Sequence, residues 1–190
     1  MGAPWGWSSR NLTLGVEQYR WLKKTLEASA ATFKLVFIHH LAGGANKDGR
    51  CRGGAEAAPF FEWGGRDADG RDAFGEKRPG WAMPIHQLLV HSKVQVVFHG
   101  HDHFFAKQDL DGIVYQLVPQ PGASERGRVR VAESYGYTHG DILSGPGHLR
   151  VRVSPRDLRV DYVRSRLPAD ERRRGRNREA GCSYTIRVRR

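Results

Sequence analysis

Two apolar runs in this chain end in imidazole. Lys34-Leu35-Val36-Phe37-Ile38 leads into His39-His40, and Val94-Gln95-Val96-Val97-Phe98 leads into His99-Gly100-His101-Asp102-His103. Neutral imidazole is the commonest nitrogen ligand for zinc, iron and manganese-type centres. In an extended segment residues i and i+2 point the same way, so His101 and His103 are expected to face one cluster around Asp102. Gly100 admits a backbone geometry, or a close approach, that a Cβ would obstruct. In α/β sheets the loops leaving the strand ends converge on one crevice, which is where sites form. One histidine pair on one strand is more often structural. Two pairs at the ends of two buried-type strands point to a metal site.

The elements that must position these rings follow from spacing. Thr13 is a candidate N-cap with Glu17 in the first turn, where a negative charge suits the helix dipole. Leu14, Gln18, Trp21, Leu22 and Leu26 then recur at helical spacing, which predicts an amphipathic helix over about 14–29. Leu35–Ile38 and Val94–Phe98 are continuous apolar runs and read as strands buried on both faces. Between them, 41–80 is rich in glycine and charge but carries Phe60, Phe61, Trp63 and Phe74. A segment of that length is usually functional or disordered, and its aromatics favour an ordered lid. Pro84 fits the first turn of a second helix with Ile85, Leu88 and Leu89 on one face. Gly112–Val118 predicts a strand after the Asp111-Gly112 turn. Leu149–Val153 and Leu158–Val163 predict a hairpin across Ser154-Pro155-Arg156-Asp157, with one wet face. Tyr184–Val188 reads as a final strand. Helix, buried strand, helix, buried strand is α/β grammar.

The order of these pieces resembles the C-terminal half of a calcineurin-like metallophosphoesterase, nearest the purple-acid-phosphatase-like branch. The residues that carry the resemblance are Leu14-Gly15-x-x-Gln18-x-x-Trp21-Leu22, Phe37-Ile38-His39-His40 and Gly100-His101-Asp102-His103. It spans residues 11–163, with 41–80 as a glycine-rich insertion, an arginine-rich loop at 164–181 and a terminal strand at 182–190. The resemblance implies an α/β fold: part of a sandwich of mixed sheets flanked by helices. It also implies hydrolysis of a phosphate mono- or diester by a metal-bound hydroxide. Two divalent or trivalent ions (iron, manganese or zinc) would clamp the phosphoryl group. His39 and His101 would bind the second metal and His103 the first. His40 would contact the phosphate or protonate the leaving group. The family's upstream Asp-x-His, Gly-Asp and Asn-His motifs have no counterpart here. Histidines alone cannot neutralise two such cations. The chain therefore reads as a partial enzyme holding the histidine half of a site, with little or no activity alone: a truncated gene, a fragment of a longer protein whose N-terminal half carries the acidic complement, or one half of an assembly.

Composition bounds the alternatives. The chain has 190 residues and a net charge of +11, long enough for one domain with a core. No apolar run reaches the roughly 20 residues of a membrane span. No signal peptide is visible at Met1–Arg10, although relatives of this kind are often exported. From Arg164 to Arg190 ten arginines face three acids. The plain reading is a solvated loop. The alternative is a nucleic-acid-binding surface, whose affinity would fall steeply with salt. Cys51 and Cys182 are too few and too far apart for a zinc knuckle or a disulfide framework; they read as two unrelated thiols, with one disulfide in an oxidising compartment as the alternative. Asp67-x-Asp69-Gly70-x-Asp72 fails as a calcium loop, because its twelfth position is Arg78.

Overall fold

A five-stranded mixed sheet divides the molecule. The computed structural model describes residues 7, 13–41, 52–122, 128–166, 168, 171 and 175–188. The first element is helix α1 (Gly15–Ala28), followed by β1 (Leu35–Ile38), a 3-10 turn at Ala55–Ala57, α2 (Phe61–Gly64), α3 (Phe74–Lys77) and α4 (Ile85–His91). Then come β2 (Val96–His99), β3 (Phe105–Leu110), β4 (Ile113–Leu117), β5 (Asp141–Leu143), β6 (Gly147–Val153), β7 (Asp157–Arg164) and β8 (Ala180–Arg187). The large sheet has the order β1-β2-β4-β3-β5, and an antiparallel second sheet has the order β6-β7-β8. β1, β2 and β4 are parallel, whereas β3 runs against β4 and β5.

Alternation along the strands builds two cores. Val97, Ile113 and Tyr115 face the helices and pack with Leu26, Leu88 and Leu89. Val96, Phe98 and Val114 face the small sheet and meet Leu158 and Val160. The result is helices on sheet on sheet, a mixed α/β arrangement that fits the expected partial sandwich. All four residues of β2 are buried, as its apolar run implied. β1 departs from that expectation. It stands at the edge of the sheet, and Phe37 is 72 % exposed. No helix of the described residues is long and apolar enough to cross a membrane.

The face that α1 buries also differs from the sequence reading. Trp21 is 66 % exposed, and Tyr19 is buried instead. Its ring stacks on Trp81 at 3.9 Å and its hydroxyl donates to the Met83 carbonyl at 2.8 Å. Tyr19, Leu22 and Leu26 therefore form the inner stripe, because the segment before α4 offers an aromatic partner that spacing alone does not reveal. At the helix start Leu14 occupies the capping position, and Thr13 Oγ1 accepts the Gly15 N–H at 3.1 Å. The buried Glu62 carboxylate accepts the Leu14 N–H at 2.6 Å and the Thr13 hydroxyl, placing negative charge at the positive end of the helix.

Residues 52–80 are ordered but do not form a lid. Ala55, Ala57, Ala58 and Trp63 belong to the core between helices and sheet. Trp63 Nε1 donates to the Tyr115 hydroxyl at 2.8 Å. That hydroxyl also bonds His86 Nδ1 at 2.8 Å, and His86 Nε2 meets Asp111 Oδ2 at 2.9 Å. A chain of polar groups thus joins α2, β4, α4 and the β3–β4 turn. Burial pushes the Tyr115 phenol well above its usual pKa, so its proton stays in place. The expected hairpin is present. Ser154 Oγ accepts the Asp157 N–H at 3.0 Å, and Val153 pairs with Leu158. Tyr162 locks the two sheets together, with its ring stacked on Phe105 at 4.6 Å and its hydroxyl on the Gly145 carbonyl at 2.7 Å.

Candidate metal centre

Parallel pairing aligns the ends of β1 and β2, with Ile38 opposite His99. The Gly100 N–H then donates to the His39 carbonyl at 2.9 Å, tying the two loops that follow. The His39, His40 and His101 rings form a triangle with centroids 5.5, 5.3 and 5.6 Å apart. His39 Nε2 and His101 Nδ1 lie 3.2 Å apart, so one donates a hydrogen bond and the other accepts it. Rings 62 residues apart in sequence thus converge on one point.

The loop reaches that convergence by an unexpected route. Residues 101–103 are not extended. His101 and His103 both have left-handed backbones, with φ 78° and 66°. The argument that i and i+2 share a direction therefore does not apply. His103 is half-buried. Nor does Gly100 carry the unusual geometry. A Cβ there would lie 3.6 Å from the His39 carbonyl oxygen, an ordinary contact. Asp102 is 1 % exposed and turned away from the rings. Its carboxylate accepts Arg52 Nη1 at 2.9 Å, the Gly53 N–H at 3.2 Å and the Tyr137 hydroxyl at 2.8 Å.

Burial shapes the protonation of the cluster. Desolvation lowers the pKa of His40 and of His101. His40 Nδ1 lies 3.3 Å from the Leu41 carbonyl, which assigns the proton to Nδ1 and leaves Nε2 as an acceptor. The charged form that an acid catalyst needs is thus disfavoured at His40, whereas a neutral nitrogen donor is favoured. His99 lies behind the triangle, 2 % exposed, with its Nε2 unpartnered and its ring parallel to Tyr137. Sequence reading passed over this residue. Its place as the last apolar-flanked position of β2 was the only signal, and that signal points inward.

The donors fit a cation in part. Two nitrogens bound at about 2.0–2.1 Å in a tetrahedral shell would stand about 3.3 Å apart, close to the spacing of His39 Nε2 and His101 Nδ1. A dinuclear set does not fit. Among the described residues no group of three or more His, Cys, Asp or Glu could hold a metal ion. The carboxylate nearest in sequence, Asp102, is fully engaged elsewhere. Beside the rings, a groove of about 540 Å³ runs between α1 and β1, lined by Leu14, Trp21, Leu22, Phe37 and Ile38 and reaching His39 and His40.

Other candidates resolve into structural roles. Asp67 accepts from Trp7 and Arg71, Asp69 from the Arg71 N–H, and Asp72 from the Phe74 N–H, so these carboxylates close local turns. His139 Nδ1 pairs with Glu56 at 3.0 Å. Cys182 is a free thiol whose pKa burial raises, and Cys51 lies outside the described residues.

No family model and no curated protein matches this chain. Solved structures do. GAP50, described as the anchor in the inner membrane complex of Plasmodium, aligns with 96 % of this chain and 46 % of its own, at 12 % identity and TM-score 0.53. A purple acid phosphatase from seeds of yellow lupin (Lupinus luteus) aligns over 91 % of this chain and 28 % of its own, at 14 % identity and TM-score 0.51. PhoD aligns over 92 % and 33 %, at 16 % identity and TM-score 0.53. The chain thus has the fold of part of these proteins and spans less than half the length of each. At such identities the likeness is one of fold. That fold serves a phosphatase in one neighbour and an anchor in another.

Proposed function

We propose that this chain supplies the histidine half of a metal-dependent phosphoester-hydrolysing site. The observation that carries the reading is the 3.2 Å approach of His39 Nε2 to His101 Nδ1 across two adjacent parallel strand ends, in a fold that a purple acid phosphatase shares. A bound cation would polarise a phosphoryl oxygen and activate water. The chain's own contribution is to hold two neutral donors at fixed spacing, with His40 presenting a further nitrogen beside them. His103 is the remaining ligand in this reading. The acidic complement would come from a partner segment, the counterpart of the family's N-terminal half. Titration with cobalt(II) or zinc tests the idea. Binding should be seen with the full chain and lost in His39→Ala and His101→Ala, while turnover of a chromogenic phosphodiester stays negligible. Robust turnover that His101→Ala abolishes would refute the incomplete site, and absence of binding would refute the metal reading.

A second reading, binding of nucleic acid, rests on the outer face of the small sheet. Arg150, Arg152 and Arg159 converge on the buried Asp161, at 3.0, 3.1 and 2.8 Å, and each guanidinium remains about half exposed. The Arg159 hydrogen bond, aided by Ser183 and Arg150, holds the Asp161 carboxyl well below the usual range. Three guanidinium groups held by one carboxylate leave a fixed excess of positive charge that suits phosphates. Binding of a labelled DNA duplex that weakens steeply with salt, and that survives His39→Ala but not the combined change of the three arginines to glutamine, would favour this reading. Salt-independent or absent binding would end it.

A further inference from the structure

We propose that Asp102 is the positioning residue of the histidine loop, its buried carboxylate imposing the turn that delivers the His101 ring to His39. The left-handed backbone is unfavourable for residues that carry a Cβ, and it occurs here on both sides of Asp102. Such conformations persist only where their surroundings over-determine them. Gly100 does not absorb the turn, since its backbone is ordinary and its position would accept a Cβ. The constraint comes from the carboxylate. Oδ1 takes Arg52, and Oδ2 takes both the Gly53 N–H and the Tyr137 hydroxyl.

These donors reach Asp102 from two separate parts of the chain. Arg52 and Gly53 open the described portion of the glycine-rich segment, and Tyr137 follows the short 3-10 turns that precede β5. Each donor is itself held. Arg52 is 5 % exposed, with its guanidinium 3.7 Å over the Tyr135 ring. Gly53 has φ 108°, a conformation that aims its N–H at the carboxylate and that side chains rarely adopt. At Gly54 a Cβ would meet Gln108 Oε1 at 2.0 Å, so the strand-side approach of this segment requires glycine. Tyr137 is 2 % exposed and packs edge-on against Phe104. The Arg52-Gly53-Gly54 run is thus a strap whose end is clamped on Asp102. Both oxygens of Asp102 point into the protein, so it acts on the site through His101 rather than as a ligand.

The test has two arms on the full chain. One measures amide hydrogen exchange at residues 100–104 and needs no metal. The other is a cobalt(II) titration, which rests on the metal reading above. In Asp102→Asn the strap loses its charged acceptor. Exchange at 100–104 should rise about tenfold or more while β4 and β7 are unchanged, because the loop opens locally rather than with the whole fold. Cobalt affinity should fall by about 10–100-fold, as when a residue that orients a ligand is lost. Tyr137→Phe, which removes one donor and keeps the charge, should give the same pattern at smaller size, and it decides the matter if Asp102→Asn does not fold. Unchanged exchange at 100–104, or a rise shared equally by β4 and β7, would overturn the proposal. If the parent chain binds no cobalt, the metal reading fails, while the exchange arm still decides the role of Asp102.

Discussion

β1 and β2 carry nearly interchangeable sequences, each an apolar run ending in histidine, yet they sit in opposite environments. β2 is paired on both sides and fully buried. β1 is paired on one side, and Phe37 in its middle is largely in solvent although its ring stacks on Phe98 at 4.9 Å. An apolar run therefore specifies a strand but not its number of neighbours. The histidines repeat the lesson. At the end of β2, His99 is sealed inside with its Nε2 unpartnered, while His39, at the end of β1, faces His101. The candidate site thus lies on the border between the closed part of the sheet and its open edge.

The sharpest way to break the comparison is to place a charge inside β2. Val97→Asp would bury an unpaired carboxylate at a site with no exposure, which should destabilise by about 4 kcal/mol or more and leave the chain unfolded or nearly so. Urea denaturation followed by circular dichroism measures it, and a folded Val97→Asp protein of near-parent stability would show that β2 is not central. The next effect comes from His99. Burial lowers its pKa to about 3 from 6.5. Above pH 6.5 both folded and unfolded states are neutral, and the group adds no pH dependence. Between pH 6.5 and 3 the unfolded chain takes up a proton that the native state refuses. Stability then falls as the pH falls, by about 1.4 kcal/mol per pH unit for one such group. His40 and His101, lowered by the same cause, act in the same direction. Urea midpoints of the metal-free protein at pH 7, 5.5 and 4.5 should drop in that order, and His99→Phe should flatten much of the slope. An equally steep profile in that variant would show that His99 is solvated.

Local spacing made visible what depends on local physics. The β2 run, the α4 face through Ile85, Leu88 and Leu89, the Ser154–Asp157 hairpin, and the meeting of His39 with His101 all follow from periodicity and strand-end logic. What stayed hidden depends on distant partners. Nothing near Tyr19 announces Trp81 or Met83, so the helix face was assigned to Trp21. Nothing near Trp63 announces Tyr115, so a packed part of the helical layer looked like a lid. His86 has no partner in its own neighbourhood, since Tyr115 and Asp111 lie 29 and 25 residues away. The role of Asp102 has no local signal, because a carboxylate's direction depends on where Arg52 and Tyr137 arrive. The edge status of β1 is a property of the assembled sheet and has no local sequence signal.

The smallest expected effect is the one that sharpens the comparison most. Phe37 and Phe98 are direct partners across the β1–β2 ladder, with the same side chain and nearly parallel rings. Phe98 is 3 % exposed and packs against Leu158 and Val160, so Phe98→Ala should cost about 3–5 kcal/mol. Phe37→Ser gives up little beyond one aromatic contact, worth about 0.5–1.5 kcal/mol, and replaces an exposed ring on a sheet edge, the kind of surface that invites self-association. Its urea midpoint should therefore move by no more than that contact allows, while its solubility at high concentration improves. If Phe37→Ser destabilised the chain as much as Phe98→Ala, β1 would have to be covered in solution, and the contrast between a closed and an open side of the sheet would disappear.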